Sequence, residues 1–170
     1  MMIHNNPQDK GKVIADLREA IEHRATWMYL LIEEARKEGL GVDFARRAIT
    51  ACGCLHGKTK FTPTEDLLAF AQEFANPKGA AVFEMAVDAQ PEELKIDFHY
   101  CPLVSAWQKL TTDEKKIAEL CDIAMEGDRG IASAFKSFTF SLGKTIAQGN
   151  RICEIRFQKR PSNREGAGKR

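Results

Sequence analysis

Cys101 lies where a predicted strand meets a predicted helix, a position at which a thiol can act as a nucleophile. Residues 94–100 alternate between apolar and polar side chains, which is typical of a half-buried strand. Pro102 suits the first position of a helix, so Cys101 is predicted to be its N-cap. Backbone N–H groups and the positive end of the helix dipole lower the pKa of a thiol at such a position. The sequence therefore predicts that Cys101 is a reactive thiolate.

His99 and Asp128 are candidates for the general acid or base that chemistry at a thiol requires. His99 precedes Cys101 by two residues, and Asp128 lies within residues 126–130, where two glycines predict a break or bend in a helix. Each residue also has a plainer interpretation. His99 would belong to a solvated sheet face, and Asp128 to a turn with a surface ion pair. His99 can serve Cys101 only if the strand pattern continues as far as the cap.

Two further cysteines, Cys121 and Cys153, follow in the second half of the chain. Cys121 lies on the apolar face of one predicted helix, and Cys153 lies on the apolar face of the last predicted strand. With Cys101 and either Asp128 or His99, they could hold Zn²⁺ and activate a water, although three thiolates more often build a closed structural site. The spacing, with 19 and 31 intervening residues, contains no Cys-x-x-Cys pair. Inert core cysteines are the remaining alternative.

A second group, formed by Cys52, Cys54 and His56, looks like a metal-binding motif but is a weak one. Alternate residues of a helix point about 200° apart, so the two thiols diverge if the helix is regular. Gly53 and Gly57 predict fraying that could bring the thiols together. The default expectation is a helix end with small buried thiols.

The elements that must position these residues follow from hydrophobic periodicity. Helices are predicted over about residues 9–38, 43–55, 62–74, 101–110 and 111–125. In the second helix, the residues predicted to face inward are Phe44, Ala48, Ile49 and Cys52. Thr62 is predicted to cap the third helix, and residues 76–79 to end it. Two hairpins, over residues 83–100 and 138–157, supply four strands, so we predict an α+β fold whose antiparallel four-stranded sheet has helices mainly on one face.

The composition is that of an ordinary soluble protein and excludes several classes of function. The 170 residues suit one domain, predicted over 9–158 between a flexible lead (1–8) and a basic disordered tail (159–170). The formal net charge of +1 gives no basic stripe for nucleic acid, and no apolar run approaches the roughly 18 residues that span a membrane. Because no signal-peptide core is found, the chain is predicted to be cytoplasmic, where its five cysteines stay reduced.

The first predicted helix is apolar on more than one face around residues 27–32. A helix of this kind is expected to pack on two sides. One side would be the core and the other a subunit interface, as in a homodimer. A central core helix would show the same pattern, so the sequence leaves both alternatives open.

Five segments of the second half form a recognisable set: Cys101-Pro102, Leu120-Cys121-Asp122, Gly127-Asp128, Thr145-Ile146-Ala147-Gln148-Gly149 and Cys153-Glu154-Ile155-Arg156-Phe157. Over roughly residues 80–158 the chain resembles the L-2-amino-thiazoline-4-carboxylic acid hydrolase-like family. Two departures bear on the substrate more than on the fold. Ile96-Asp97-Phe98 stands where the family more often has Phe-Asp-Val, and Ser105-Ala106-Trp107 replaces an acidic-aromatic segment.

The resemblance implies a small-molecule substrate and the hydrolytic opening of a cyclic amidine, the 2-aminothiazoline ring, by attack at C2. Such a reaction needs a nucleophile, a proton donor for the leaving nitrogen and a partner for the substrate carboxylate. Cys101 is the predicted nucleophile, and His99 or Asp128 the predicted general acid and base. Arg129 or Arg156 is predicted to bind the carboxylate through a bidentate pair.

The layout is also similar to the small-molecule-binding domain related to 4-vinyl reductases and TRAPP subunits, in which similarly placed cysteines can hold zinc. This likeness implies a different class of function, a non-catalytic binding or sensor module with a cysteine-ligated zinc. Activity that depends on Cys101 would separate an enzyme from a sensor. Metal content would separate the zinc hypotheses from the free-thiol mechanism.

Overall fold

The computed structural model describes residues 3–161 and places helices around one face of an antiparallel sheet. The first half is helical, in α1 (Lys12–Lys37), α2 (Asp43–Thr59), α3 (Leu67–Phe74) and α4 (Pro77–Phe83). A hairpin and three helices follow, in β1 (Met85–Ala89), β2 (Glu93–Phe98), α5 (Pro102–Leu110), α6 (Glu114–Ala124) and α7 (Glu126–Ser133). The described chain ends with β3 (Phe138–Leu142), a 3₁₀ turn (Ile146–Gln148) and β4 (Cys153–Lys159). The predicted α+β class is confirmed.

The four strands pair antiparallel in the order β1-β2-β4-β3, so β4 is inserted between the two earlier strands β2 and β3. On β2 and β4, alternate residues are buried, and Phe98 pairs with Cys153 while Ile96 pairs with Ile155. Because side chains alternate across a strand, these residues share the face that the helices cover. The other face carries the polar side chains, as the sequence predicted.

The centre of the core is an aromatic cluster that joins α3 to the sheet. The ring of Phe70 lies 4.8 Å from that of Phe135, 5.5 Å from that of Phe138 and 4.9 Å from that of Phe157. Tilted and edge-to-face arrangements at these distances suit the ring quadrupoles and add to the burial of apolar area. The short α3 helix is therefore fixed against β3 and β4.

Helices α2 and α7 approach each other closely through glycines. A Cβ atom added at Gly130 would lie 2.5 Å from the carbonyl oxygen of Thr50, and one added at Gly57 would lie 2.9 Å from the Ala134 Cβ. The predicted break in the helix lies at Met125, between α6 and α7. Residues 126–130 themselves are helical, because this packing outweighs the low helix propensity of glycine. For the same reason α2 does not fray at Gly53 but continues to Thr59.

The inward face of α2 also differs from the prediction. Phe44, Ala48 and Cys52 are exposed, and of the predicted set only Ile49 packs against the core. The face that contacts α7 is made of small residues, including the buried Ala45 and Gly53. Because the two helices lie close together, the small residues of α2 face α7. The larger apolar side chains of α2 therefore lie on its outer side.

Two helix starts were misplaced. Helix α3 is capped by Asp66, whose side chain accepts a hydrogen bond of 2.9 Å from the Leu68 N–H, so the predicted cap at Thr62 is wrong. Helix α3 ends at Phe74, just before the predicted stop, but Asn76 then begins a helix that was not predicted, α4, because its side chain accepts a 3.0 Å hydrogen bond from the Gly79 N–H. Both are short polar side chains that satisfy free N–H groups of a first turn.

The two ends of the described chain contact the domain. Of the predicted flexible lead, Ile3 is buried and Asn5 hydrogen-bonds to Cys101. Of the predicted tail, Lys159 is the last residue of β4, and Arg160 donates a 3.0 Å hydrogen bond to the Phe138 carbonyl. Residues 1–2 and 162–170 lie outside the described part, so the domain limits stay predictions. Within residues 3–161, every helix is too short or too polar to cross a membrane.

Candidate functional site

Cys101 is the N-cap of α5, as the sequence predicted. The backbone N–H groups of Leu103 and Val104 lower the pKa of its thiol, although the thiol forms no capping hydrogen bond. Burial acts in the opposite direction and is the larger effect, because a charged sulfur is poorly solvated there, so the pKa of Cys101 rises to about 11. The prediction of a resting thiolate is therefore wrong. Cys101 is a buried thiol whose anion, once formed, would meet two N–H groups.

Cys121 and Cys153 are buried, as Cys101 is. The Ile146 N–H donates a 3.2 Å hydrogen bond to the Cys153 sulfur, while burial raises the pKa of Cys153 to about 12. Burial also raises the pKa of Cys121 well above its ordinary value, and negative charge on Cys101 or Cys153 would raise it further. Since each sulfur acts electrostatically on its neighbours, the three thiols form one cluster, contributed by α5, α6 and β4.

Asp128 belongs to the same cluster. It is half-buried on α7, and its negative charge raises the pKa of both Cys101 and Cys153. Burial raises the pKa of Asp128 to about 6, while the positive charges of Arg24 and Arg129 partly oppose this rise. A carboxyl group with a pKa close to neutral can both accept and release a proton at physiological pH.

His99 is not brought to the thiols. Its side chain is exposed, next to the buried Tyr100, so the alternation of β2 carries it to the other side. Its backbone N–H donates a 3.2 Å hydrogen bond to the Glu84 carbonyl. Among the described residues, the charged side chains that act on the pKa of Cys101 are Asp128 and Arg24. Of the two predicted general acids, only Asp128 lies with the cysteines.

Arg129 is engaged in an ion network that joins α2, α6 and α7. Its guanidinium nitrogens lie 2.8 Å from Asp122 Oδ1 and 2.9 Å from Glu126 Oε1. Arg46 contacts the same two carboxylates, at 2.8 Å and 3.3 Å. The two positive charges are therefore matched by two negative ones inside the network, and Arg129 is already bound to carboxylates of the protein.

Arg156 lies on the polar face of the sheet, opposite the cysteines. Its Nη2 is 2.7 Å from Asp97 Oδ1, an ion pair without hydrogen-bond geometry, and its Nη1 donates a 3.2 Å hydrogen bond to the Ile96 carbonyl. Because Cys153 points to the helices and Arg156 is three residues away on the same strand, the two side chains face opposite sides. The structure does not bring Arg156 to the thiol cluster.

No group of three or more His, Cys, Asp or Glu side chains within residues 3–161 has the arrangement of a metal site. This holds for the Cys101, Cys121 and Cys153 cluster and for the Cys52 motif. In the motif, Cys54 Sγ lies 3.3 Å from Ser133 Oγ, while Cys52 is exposed on the regular helix α2. We therefore assign no step of the chemistry to a metal.

Arg24 is the site residue that sequence reasoning missed. It lies on α1, about eighty residues before Cys101, and its charge acts on both Cys101 and Asp128. A signal was present, since Arg24 follows Ile21 by three residues and precedes Met28 by four, which places it beside the inward face of the helix. Nothing local linked that face to Cys101.

Comparison with known proteins identifies the family of this chain. A family model described as L-2-amino-thiazoline-4-carboxylic acid hydrolase matches residues 18–157. The chain belongs to this family. The matched range includes α1 from residue 18 onward, the three clustered cysteines and Asp128.

Comparison with curated proteins finds no match. Among solved structures, the chain is similar to a crystal structure of a trafficking protein particle complex subunit 3 from Naegleria fowleri, which is covalently bound to palmitic acid. That similarity has a TM-score of 0.38 and 17% sequence identity, and it covers 89% of this chain and 85% of that chain.

Proposed function

We propose that this member of the L-2-amino-thiazoline-4-carboxylic acid hydrolase family opens a cyclic amidine of the 2-aminothiazoline class through a cysteine-centred site. Cys101 is the attacking group, and Asp128 transfers the protons. The observation that carries the proposal is the position of Asp128, an acid with a pKa of about 6, beside a buried thiol at a helix N-terminus. Family membership supports the reaction class.

The proposed reaction begins with proton transfer from the thiol. At neutral pH the Asp128 carboxylate accepts the Cys101 proton as the sulfur bonds to C2, and the electron pair of the C2–N double bond moves to the ring nitrogen. Asp128 passes that proton to the ring nitrogen. The tetrahedral adduct collapses as the amino nitrogen donates its lone pair, and the C2–N ring bond breaks. Asp128 moves a proton from the amino group to the leaving nitrogen.

Water completes the reaction by adding across the C2–N bond of the imine. The bond between C2 and the Cys101 sulfur then breaks as the new hydroxyl becomes a carbonyl, and the hydroxyl proton returns to the Cys101 sulfur. The product keeps the former ring sulfur bonded to a carbamoyl carbon, and the enzyme returns to its starting state. The Leu103 and Val104 N–H groups stabilise negative charge on the sulfur when it attacks and when it leaves. The negative charge of the Asp128 carboxylate favours a substrate whose amidine is positively charged.

The experiment is a ring-opening assay with 2-aminothiazoline-4-carboxylate. We expect Cys101→Ser and Asp128→Asn to lower kcat at least about 100-fold, as loss of a nucleophile or general base does. The matched control is Cys52→Ser, because Cys52 is an exposed thiol on the outer face of α2. Full activity of Cys101→Ser would contradict the proposal.

A second candidate is a non-catalytic small-molecule-binding or sensor domain. It is favoured by the raised pKa of Cys101, Cys121 and Cys153, because protonated buried thiols are unreactive. Binding of the ring without turnover in the wild type would favour this candidate. Stoichiometric zinc that is lost in each Cys→Ser variant would favour its zinc-bound form.

We also propose a homodimer formed through α1. Its outer side exposes the large apolar side chains of Trp27, Leu30 and Leu31, and burial of such a patch stabilises association. Sedimentation at micromolar concentration tests this, with Leu31→Glu expected to dissociate the dimer. A monomeric wild type would contradict it.

The cytoplasm is the location we propose. All five cysteines are free thiols, and a reducing compartment keeps them so. Fractionation of cells that express the chain, followed by detection with an antibody, tests the location. Recovery from an oxidising compartment would contradict it.

A further inference from the structure

Residues 3–10, which we call the strap, cross the start of α5 without forming a helix or a strand. At one end the Ile3 carbonyl accepts a 3.2 Å hydrogen bond from the Gln108 side chain on α5. In the middle, Asn5 donates a 2.8 Å hydrogen bond to the Cys101 carbonyl and accepts one of 2.8 Å from the Cys101 N–H. The strap therefore contacts both backbone groups of the cysteine on which the site is centred.

The other end of the strap is held by an ion pair between Arg18 on α1 and Glu84, the residue that joins α4 to β1. Arg18 Nη2 lies 2.9 Å from Glu84 Oε1, and neither side chain is more than 10% exposed. Gln8 contacts both members of the pair. Its N–H donates to Glu84 Oε1, and its carbonyl accepts a 2.8 Å hydrogen bond from Arg18 Nη1. Glu84 has a left-handed φ of 52°, which is unfavourable for a residue with a Cβ and is held by these contacts.

Between these points of attachment the strap is loosely packed. Ile3 is buried and Asn5 is half-buried, while the other six residues of the strap are exposed. A cavity of about 410 Å³ is lined by residues 7–11 together with Arg18 and Tyr100. Because the strap buries little apolar surface, its release requires far less free energy than unfolding of the domain. The helices and strands around Cys101 are joined by core packing, so the strap is the neighbour of Cys101 that moves most easily.

Gly11 provides a hinge where the strap joins α1. It is the N-cap of the helix with a φ of +82°, and no atom lies within 4 Å of the position that a Cβ would occupy. Glycine adopts either sign of φ, so the backbone can rotate here without a steric penalty. Helix α1 stays in place during such a rotation, because Arg18 also donates a 3.0 Å hydrogen bond to the Val82 carbonyl.

We propose that the strap is a gate over Cys101. In the closed state described by this structure, Cys101 is only 7% exposed. The gate opens when the hydrogen bonds of Asn5 to Cys101 break and residues 3–10 swing about Gly11, and a small molecule then reaches the sulfur. Segments that close over a site in this way exclude water and control entry. The gate is independent of the reaction proposed above, because it controls access to the thiol whether a ligand is hydrolysed or only bound.

The first test measures how the alkylation rate of Cys101 depends on urea below the unfolding transition. Iodoacetamide is the reagent, and peptide mass spectrometry of the full chain separates Cys101 from Cys153. Opening of the strap exposes little surface, so the Cys101 rate should hardly change with urea. Cys153, on the inner strand β4, should react through global unfolding, and its rate should rise steeply. A Cys101 rate that rises as steeply as that of Cys153 would overturn the gate.

The second test separates release of the strap from a general loss of stability. Without urea, Asn5→Ala should raise the Cys101 rate at least about 10-fold, as expected when two hydrogen bonds are lost. The matched control is Gly57→Ala, whose new Cβ would lie 2.9 Å from the Ala134 Cβ and destabilise the contact between α2 and α7. It should speed the alkylation of Cys153 and leave the Cys101 rate unchanged. Equal acceleration of Cys101 in both variants, or none in Asn5→Ala, would show that Cys101 is not reached by opening of the strap.

Discussion

The side chain of Asn5 forms two hydrogen bonds of 2.8 Å with the backbone of Cys101, donating to its carbonyl and accepting from its N–H. The two residues are separated by 96 positions. The contact holds the segment before α1 against the start of α5. It also satisfies an N–H group of Cys101 that the helix itself leaves free.

Removal of this contact should loosen the site. We predict that Asn5→Ala lowers the free energy of unfolding by about 1–3 kcal/mol, because two partly buried backbone groups lose their partner. It should also speed the alkylation of Cys101. Urea unfolding and mass spectrometry measure the two effects. Asn6→Ala, at the exposed neighbouring position, is the control, and equal stability of the two variants would contradict the prediction.

Asp128 should make the protein less stable as the pH rises. Its pKa is raised from 3.8 to about 6, so the folded state binds the proton more tightly than the unfolded state. That stabilisation is present below pH 4 and is lost between about pH 4 and pH 6. A shift of about two pKa units corresponds to a change of about 3 kcal/mol in the free energy of unfolding.

This titration should lower the free energy of unfolding of the wild type by about 3 kcal/mol between pH 4 and pH 7. We predict that Asp128→Asn abolishes this decrease. Urea unfolding across this range measures it. Asp88→Asn, which alters an exposed carboxylate on β1, should keep the pH dependence of the wild type. The prediction fails if the Asp128→Asn and wild-type curves stay parallel.

The buried thiols should resist alkylation. Raising the pKa of Cys101 from 9.0 to about 11 lowers its thiolate fraction at pH 8 about 100-fold, and burial blocks the reagent further. Iodoacetamide should therefore modify the exposed Cys52 long before Cys101, as peptide mass spectrometry can follow. In urea the difference should vanish. Modification of Cys101 at the rate of Cys52 in the folded protein would refute a buried thiol.

Glycine packing between α2 and α7 should be sensitive to a single methyl group. We predict that Gly130→Ala destabilises the protein by at least about 1–3 kcal/mol, because the new Cβ would lie 2.5 Å from the Thr50 carbonyl. Gly41→Ala adds the same methyl group at a position where no atom lies within 4 Å of the new Cβ, so it should lower the stability far less. Thermal unfolding of both variants measures the difference. Equal melting temperatures would show that the helices move apart without cost.

Local patterns were sufficient for the sheet and for the Cys101 cap. Alternation along residues 94–98 and 153–157 follows directly from the geometry of a strand with one buried face, and Pro102 fixes the helix start at the adjacent residue. These features depend on neighbours in the sequence, so the sequence alone determines them.

Features that depend on distant contacts were missed. The thiol of Cys101 is protonated because of residues packed around it, a burial that no local pattern measures. Helix α7 exists because its glycines fit against α2, although glycine by itself favours a break. Arg24 was not linked to the site because the α1–α5 contact joins segments about eighty residues apart.

The insertion of β4 between β2 and β3 has a consequence during synthesis on the ribosome. The strand that carries Cys153 is translated after every other strand and helix described, yet it occupies an inner position of the sheet. A nascent polypeptide that stops short of it has two unsatisfied strand edges and only two of the three clustered thiols. Translation of the last strand therefore completes both the scaffold and its chemistry in one step.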